Sequence, residues 1–190
     1  STRKYAQFLD RDASNFPSWY RFVSDEDPAA TDAAQAQLRE ILAGFRILKK
    51  PTIGRAKVLQ AEFVFPGGKP YQIDFDRLSD GQRALVILYM VLHAAPDYAS
   101  LLCFDEPDTF VSIREIQPWL VTFCDRLDER GSQGMVISHS REIIDFIGHE
   151  DAILLIRHEV GHVRALPAPK PVGITLAETL KGAGYRTAHI

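Results

Sequence analysis

The sequence predicts an α/β fold, built mainly on a parallel sheet flanked by helices and carrying one antiparallel β-hairpin, and two observations point to it. Short apolar runs at Leu101–Phe104, Gly134–Ser138 and Ala152–Ile156 alternate with helix-like segments at Ala84–His93, Ile113–Glu129 and Arg141–Ile147, and strands that alternate with helices form parallel βαβ units. Upstream of them, Ala56–Phe65 and Tyr71–Phe75 flank Pro66-Gly67-Gly68-Lys69-Pro70, which is the turn chemistry of a hairpin.

Taken in order, residues 1–28 mix aromatics such as Phe16, Trp19 and Tyr20 with charges and read as helical or irregular segments lying on the body of the protein. Asp25-Glu26-Asp27-Pro28 is an acidic break. Ala29–Leu42 is rich in Ala, Gln and Leu and predicts a helix that Gly44 stops. Phe45–Leu48 is strand-like, and the hairpin follows. Leu78-Ser79-Asp80-Gly81-Gln82-Arg83 then opens the helix Ala84–His93, which Pro96 and Asp97 end. Leu101–Phe104, bounded by Ser100 and Pro107, reads as a strand buried on both faces. Ile113–Glu129 is an amphipathic helix with Pro118 near its first turn, and Gly134–Ser138 is a second buried strand with His139 just past its end. Arg141–Ile147 is a short helix and Ala152–Ile156 a third apolar strand. A turn at His158–Gly161 brings Val160–Leu166 back as an antiparallel edge strand. Pro167, Pro169 and Pro171 stiffen a connector to a terminal helix at Thr175–Lys181.

The 190 residues, 46% of them hydrophobic, suffice for one buried core, so a single compact domain is expected. Its parts are an N-terminal segment 1–55, a core 56–166, and a Pro-rich connector with terminal helix 167–190. A net charge of -3 and a pI near 6.1 exclude a global basic field. Arg46, Lys49, Lys50, Arg55 and Lys57 form a local basic cluster, read as a solvated face with nucleic acid as the alternative. Cys103 and Cys124 read as small buried hydrophobes, which fits a reducing, cytoplasmic setting. No apolar run approaches a membrane span and no signal-peptide pattern opens the chain, so no membrane partner is expected. His158 and His162 flank a glycine in a hairpin and make a poor metal pair. The start at Ser1, without Met, suggests a processed or truncated beginning.

Three places carry chemistry. Ser79 with Gln82 three residues on is a capping box, which alone accounts for the local sequence. The free N–H groups and dipole of the same helix N-terminus also make an anion site, where Gly81 admits a phosphate. Asp105 and Glu106 end an apolar strand where α/β sheets place their ligands. Successive side chains there point to opposite sides, so Asp105 suits Mg²⁺ and Glu106 is free to polarise a water. His139 ends the next strand.

In this order, Leu78-Ser79-Asp80-Gly81-Gln82, Leu101–Pro107 and Ile137-Ser138-His139 resemble the signature motif, Walker B motif and switch histidine of ABC-class ATPases. The Ser-Asp-Gly-Gln variant followed by Arg83 is more like the soluble branch, the SMC-like and RecF-like ATPases and the AAA-type ATP-binding proteins linked to phage defence. The resemblance covers roughly residues 56–157 and implies a partial P-loop NTPase fold of the ABC-ATPase kind. It implies ATP and Mg²⁺ as cofactors, the Mg²⁺ at Asp105, Glu106 as general base and His139 reaching the γ-phosphate or the attacking water. Ser79, Asp80, Gly81 and Gln82 would face the γ-phosphate of ATP held by the opposite subunit, with Asp80, where transporters carry glycine, orienting the loop. Asp108 would open the D-loop at a dimer interface, although Asp108-Thr109-Phe110-Val111 departs from the usual pattern.

No Gly-X4-Gly-Lys-Ser/Thr occurs in the chain; Gly67-Gly68-Lys69-Pro70 has neither the spacing nor the hydroxyl. In the family the P-loop lies upstream, so the chain is expected to be the C-terminal part of a larger ATPase or half of a split one, inactive alone. The implied partners are ATP, a second copy or a P-loop-containing N-terminal half, and DNA or an effector protein. The rival reading is a non-catalytic ABC-like module for dimerisation or regulation, against which the intact Glu106 and His139 stand.

Overall fold

A computed structural model describes residues 5–54, 56–95, 101–148, 152–157, 162–170 and 175–182. The expected helix stop at Pro96 and Asp97, the turn at His158–Gly161 and the residues Ser100, Arg55 and Pro171 lie outside them. The chain divides into two compact units, residues 1–102 with 109–135, and residues 103–108 with 136–190.

The first unit opens with α1 (Phe16–Glu26) and α2 (Pro28–Ile41). The acidic break is the start signal for α2: the Asp27 carboxylate accepts from Ala30 N–H at 2.9 Å, and Pro28 fills the first turn, where a missing N–H costs nothing. Gly44, at φ 76, turns the chain into β1 (Phe45–Lys49). The stretch expected as one strand from Ala56 to Phe65 is two, β3 (Ala56–Lys57), paired with β2 (Thr52–Ile53), and β4 (Gln60–Phe63). Arg21 explains the break. It is buried, and its guanidinium donates to the carbonyls of Lys50, Pro51 and Val58; the Val58 carbonyl thus turned inward cannot serve a ladder.

β4 and β5 (Tyr71–Asp74) form the expected hairpin, with Gln60 opposite Asp74 and Phe63 opposite Tyr71, and β1 adds to the other side of β4. One face of this antiparallel sheet is apolar, carrying the buried Leu48, Ala61 and Phe63; the other holds Lys49, Gln60, Glu62 and Gln72. Phe75 opens a single 3₁₀ turn (Phe75–Arg77) and stacks on Phe16 at 4.8 Å.

Next come α3 (Asp80–Ala94) and α4 (Ile113–Arg130). Leu38 of α2, Leu85, Tyr89 and Met90 of α3, and Trp119 and Leu120 of α4 are at most 1% exposed and form the centre of this core. Pro118 lies inside α4, beyond its first turn, where it removes one backbone donor. Gly131, at φ 60, closes α4, with Ser132 N–H on the Leu127 carbonyl at 3.0 Å. A partly buried polar chain joins the three helices: His93 Nε2 meets Gln37 Oε1 at 2.7 Å, Gln37 Nε2 meets Thr122 Oγ1 at 3.3 Å, and Arg126 Nη2 lies 3.4 Å from His93 Nδ1. Since a guanidinium only donates, Nδ1 accepts and Nε2 carries the proton. Burial first, then Arg126 and Arg130, hold His93 down to about 4.

The N-terminal turn of α3 is packed from outside. A Cβ on Gly81 would stand 2.5 Å from the carbonyl oxygen of Phe110, itself in the left-handed region at φ 69.

β6 (Leu101–Asp105) and β7 (Gln133–Ile137) pair in a two-stranded sheet whose strands are parallel. They are not buried on both faces as expected: Leu101 is 51% exposed, and Cys103, Met135 and Ile137 are exposed as well. Nor is the sheet mainly parallel. β8 (Ile153–Arg157) pairs antiparallel with β9 (Val163–Pro167), and the β1-β4-β5 and β2-β3 ladders are antiparallel too. The apolar run of β8 misled because hydrophobicity alone does not say what covers a strand. Ile153 and Leu155 share an exposed face with Pro167 and Ala165, while Leu154 and Ile156 are half-buried. α5 (Arg141–Ile147) and α6 (Leu176–Gly182) pack through Ile143, Leu176 and Leu180, and Asp145 accepts from Ala177 N–H at 2.8 Å.

Two outcomes follow from this packing. A histidine held neutral in the fold but free to protonate near 6.5 when unfolded favours the unfolded state as pH falls, so its contribution is intact above 6.5 and lost on the way down to about 4. Between pH 7 and pH 5 the urea-derived stability should therefore fall by about 2 kcal/mol from this group, and the His93→Gln variant should lose that part of the slope. Gly81→Ala forces the Phe110 turn to back away and should lower stability by about 1–3 kcal/mol in the same measurement, whereas Gly67→Ala, with open space around it, meets no such clash and shows only the cost of its φ of 74.

Candidate functional site

The second unit brings Glu106 and His139 together. β6 and β7 end side by side, and the first residue past β6 donates its N–H to the last carbonyl of β7, Glu106 to Ile137 at 2.7 Å. This puts the residues that follow the two strands next to each other, and Glu106 Oε1 lies 2.8 Å from His139 Nδ1. Glu106 adopts φ 49, a left-handed conformation that costs a non-glycine residue about 1 kcal/mol. The backbone bond to Ile137 and the buried Pro107 behind it hold it there. The side chains of Glu106 and His139 remain 32% and 52% exposed, open to a ligand from solvent.

Asp105 ends β6 and is exposed, one residue before Glu106. Asp108 does not join the Glu106–His139 pair: it accepts from Ser138 Oγ at 3.0 Å, and Ser138 Oγ in turn accepts from Ser140 N–H at 2.9 Å. Ser138 is the residue that sequence reasoning left without a role. Its signal was a hydroxyl beside the histidine at a strand end, where it ties the turn after β6 to the turn after β7.

In the first unit, Ser79–Gln82 is a complete capping box: Ser79 Oγ accepts from Gln82 N–H at 3.2 Å and Gln82 Oε1 accepts from Ser79 N–H at 3.1 Å. Asp80 pairs with Arg83, one turn along α3, and so turns toward its own helix. The N–H groups of Asp80 and Gly81, in the first turn of a fifteen-residue helix, have no carbonyl four residues back and suit an anion. The glycine has a second reason to be there, the close approach of the Phe110 carbonyl.

Among the described residues no group of three or more His, Cys, Asp and Glu side chains is arranged to hold a metal. Mg²⁺ needs only one or two carboxylates and completes its shell with water and phosphate oxygens, and the exposed Asp105 at the end of β6 is a carboxylate of that kind. The first turn of α3 leaves two amides suited to an anion, and Glu106 and His139 form a carboxylate–histidine pair open to solvent.

No protein-family model matches the sequence, nor does any curated protein. Solved structures do. The Smc head domain of Pyrococcus yayanosii with its coiled coil and joint aligns at TM-score 0.60 and 16% identity, over 91% of this chain and 32% of that one. A Smc head bound to the C-terminal winged-helix domain of ScpA aligns at 0.55 and 17%, over 91% and 49%. A chain from work on ATP-driven dimerization and DNA-stimulated activation of SMC ATPases aligns at 0.54 and 16%, over 86% and 94%. The chain thus spans less than half of each of the first two and most of the third. What they share is the fold, and the resemblance read from the motifs is to this same class: the chain has the fold of SMC head domains, which are ABC-class ATPases.

Proposed function

We propose that this chain is the lobe of an ABC-type ATPase that contributes signature, Walker B and switch residues to a composite ATP site, completed by a P-loop from another segment or subunit. The observation that carries the reading is the 2.8 Å contact between Glu106 and His139 at the ends of adjoining strands. A scaffold has no use for a strained carboxylate held open to solvent beside an imidazole. The fold it shares with SMC heads supports the class. The exposed apolar side chains of Leu101, Met135 and Ile137 on β6 and β7 support a sheet that continues into the P-loop-bearing part.

In this reading the Asp105 carboxylate would hold Mg²⁺, which would supply positive charge against that on the transferred phosphoryl group. His139 fixes one oxygen of Glu106, and the second oxygen orients a water and takes its proton. With Nδ1 committed to Glu106, His139 addresses a phosphate oxygen through Nε2 only when both ring nitrogens carry protons. The amides of Asp80 and Gly81 meet the γ-phosphate of nucleotide bound across a head-to-tail dimer, with Ser79 and Gln82 keeping that turn closed. Asp108, tied to Ser138, sets the turn that leads to the interface. An SMC ATPase of the same fold undergoes ATP-driven dimerization and DNA-stimulated activation, which supports a second copy and DNA as partners here; an effector protein is the other client, and DNA repair or phage defence the setting. Among the described residues no helix is long and apolar enough to cross a membrane.

In an assembly that includes the P-loop, Glu106→Gln should still bind ATP but turn over about 10²–10⁴-fold more slowly, the usual worth of a general base. A steady-state assay beside a nucleotide-binding assay separates the two effects. Turnover near that of the unaltered assembly removes Glu106 from the chemistry and leaves a module for dimerisation or regulation.

A further inference from the structure

The basic residues clustered in the sequence part company in the fold. Lys50 Nζ is neutralised by Asp25 at 2.7 Å and bonds Ser24 Oγ at 2.6 Å, while Lys57 stands over the Tyr5 ring, 4.5 Å from its centre. Arg46 and Lys49 turn instead onto Glu62, and Arg39, from the last turn of α2, donates to the Arg46 carbonyl at 3.2 Å. With Ile47 these side chains line an open pocket of about 430 Å³.

Glu62 organises this site. It is only 4% exposed, and hydrogen bonds from Lys49 and Gln72, helped by the charges of Lys49 and Arg46, hold its carboxyl below the usual carboxylate range. One carboxylate therefore pins two cations side by side that would otherwise repel, and its capacity is used by the three groups around it. Three cations against one anion leave the pocket two positive charges in excess, on a chain whose formal net charge is -3. The Arg46 and Lys49 side chains stay 59% and 40% exposed, so their outer donors face solvent.

We propose that this pocket binds the phosphodiester backbone of a nucleic acid. Guanidinium forks match phosphate oxygens in pairs. An open pocket leaves a small anion largely hydrated and weakly held, whereas a polyanion gains from the counterions it releases whether or not it is enclosed. The pocket reads no sequence, because it offers charge and no groove-reading element. It uses none of the residues from Ser79 to His139, and so stands or falls apart from the nucleotide site.

The test is fluorescence anisotropy of the 190-residue chain with a labelled DNA oligonucleotide, across a salt series. Arg39 is exposed near a helix end and its replacement leaves all three partners of Glu62 in place, so Arg39→Ala should fold. At 0.1 M salt it should bind about tenfold more weakly, with the slope of log affinity against log salt shallower by about one. Glu62→Gln removes the anion and should bind more tightly than the unaltered chain, with a melting curve to verify its fold. Absence of DNA binding, equal affinity in Arg39→Ala, or displacement of DNA by equimolar inorganic phosphate or by an acidic peptide of similar charge each overturns the proposal.

Discussion

The bond from Glu106 N–H to the Ile137 carbonyl carries more of this structure than its 2.7 Å suggests. It closes the β6–β7 pair at its C-terminal edge and turns the chain sharply enough to force Glu106 to φ 49. The same turn swings a carboxylate onto the imidazole that follows β7. Remove that register and Glu106 and His139, thirty-three residues apart, have no reason to meet. Ser138 and Asp108 add a second tie between the same two turns, so the turns that carry the pair are joined once through the Glu106 backbone and once through neighbouring side chains.

Elsewhere three polar side chains are placed in or against the core with partners on other elements. Arg21 gives its charge to three carbonyls, Gln35 caps the N–H of Leu48 at 2.7 Å from within the core, and His93 is held neutral between an amide and a guanidinium. Each group fixes one element against another, α1 to the strand ends, α2 to β1, and α2 to α3 and α4. Apolar packing of Leu38, Tyr89, Met90 and Trp119 supplies the bulk of the burial, and these bonds set its register.

Local chemistry made much of this legible in advance. The Pro/Gly turn between β4 and β5, the Ser79–Gln82 cap and the glycine after α2 act over a few residues, and each formed where expected. β9 returned antiparallel beside β8 as expected, but among the described residues β8 takes no parallel neighbour, and β6 and β7 are exposed where burial was expected. A run such as Ile153-Leu154-Leu155-Ile156 states that a strand is apolar and leaves open whether it takes a second neighbour beyond its hairpin partner β9. The break at Val58 depended on Arg21, thirty-seven residues away. Motif order could propose Glu106 with His139, but the left-handed turn that joins them and the role of Ser138 belong to three-dimensional packing. So does the grouping of Arg39 with Arg46 and Lys49, since Arg39 sits on a different element from the basic run.

The central claim is that the chain holds one half of a catalytic site. ATP hydrolysis by the 190-residue chain alone, and again after the P-loop-bearing segment is supplied, tests it most directly. The account predicts no turnover from the chain alone and turnover from the combination. Hydrolysis by the isolated chain at the combined rate, or none from a combination that assembles and binds ATP, would contradict it.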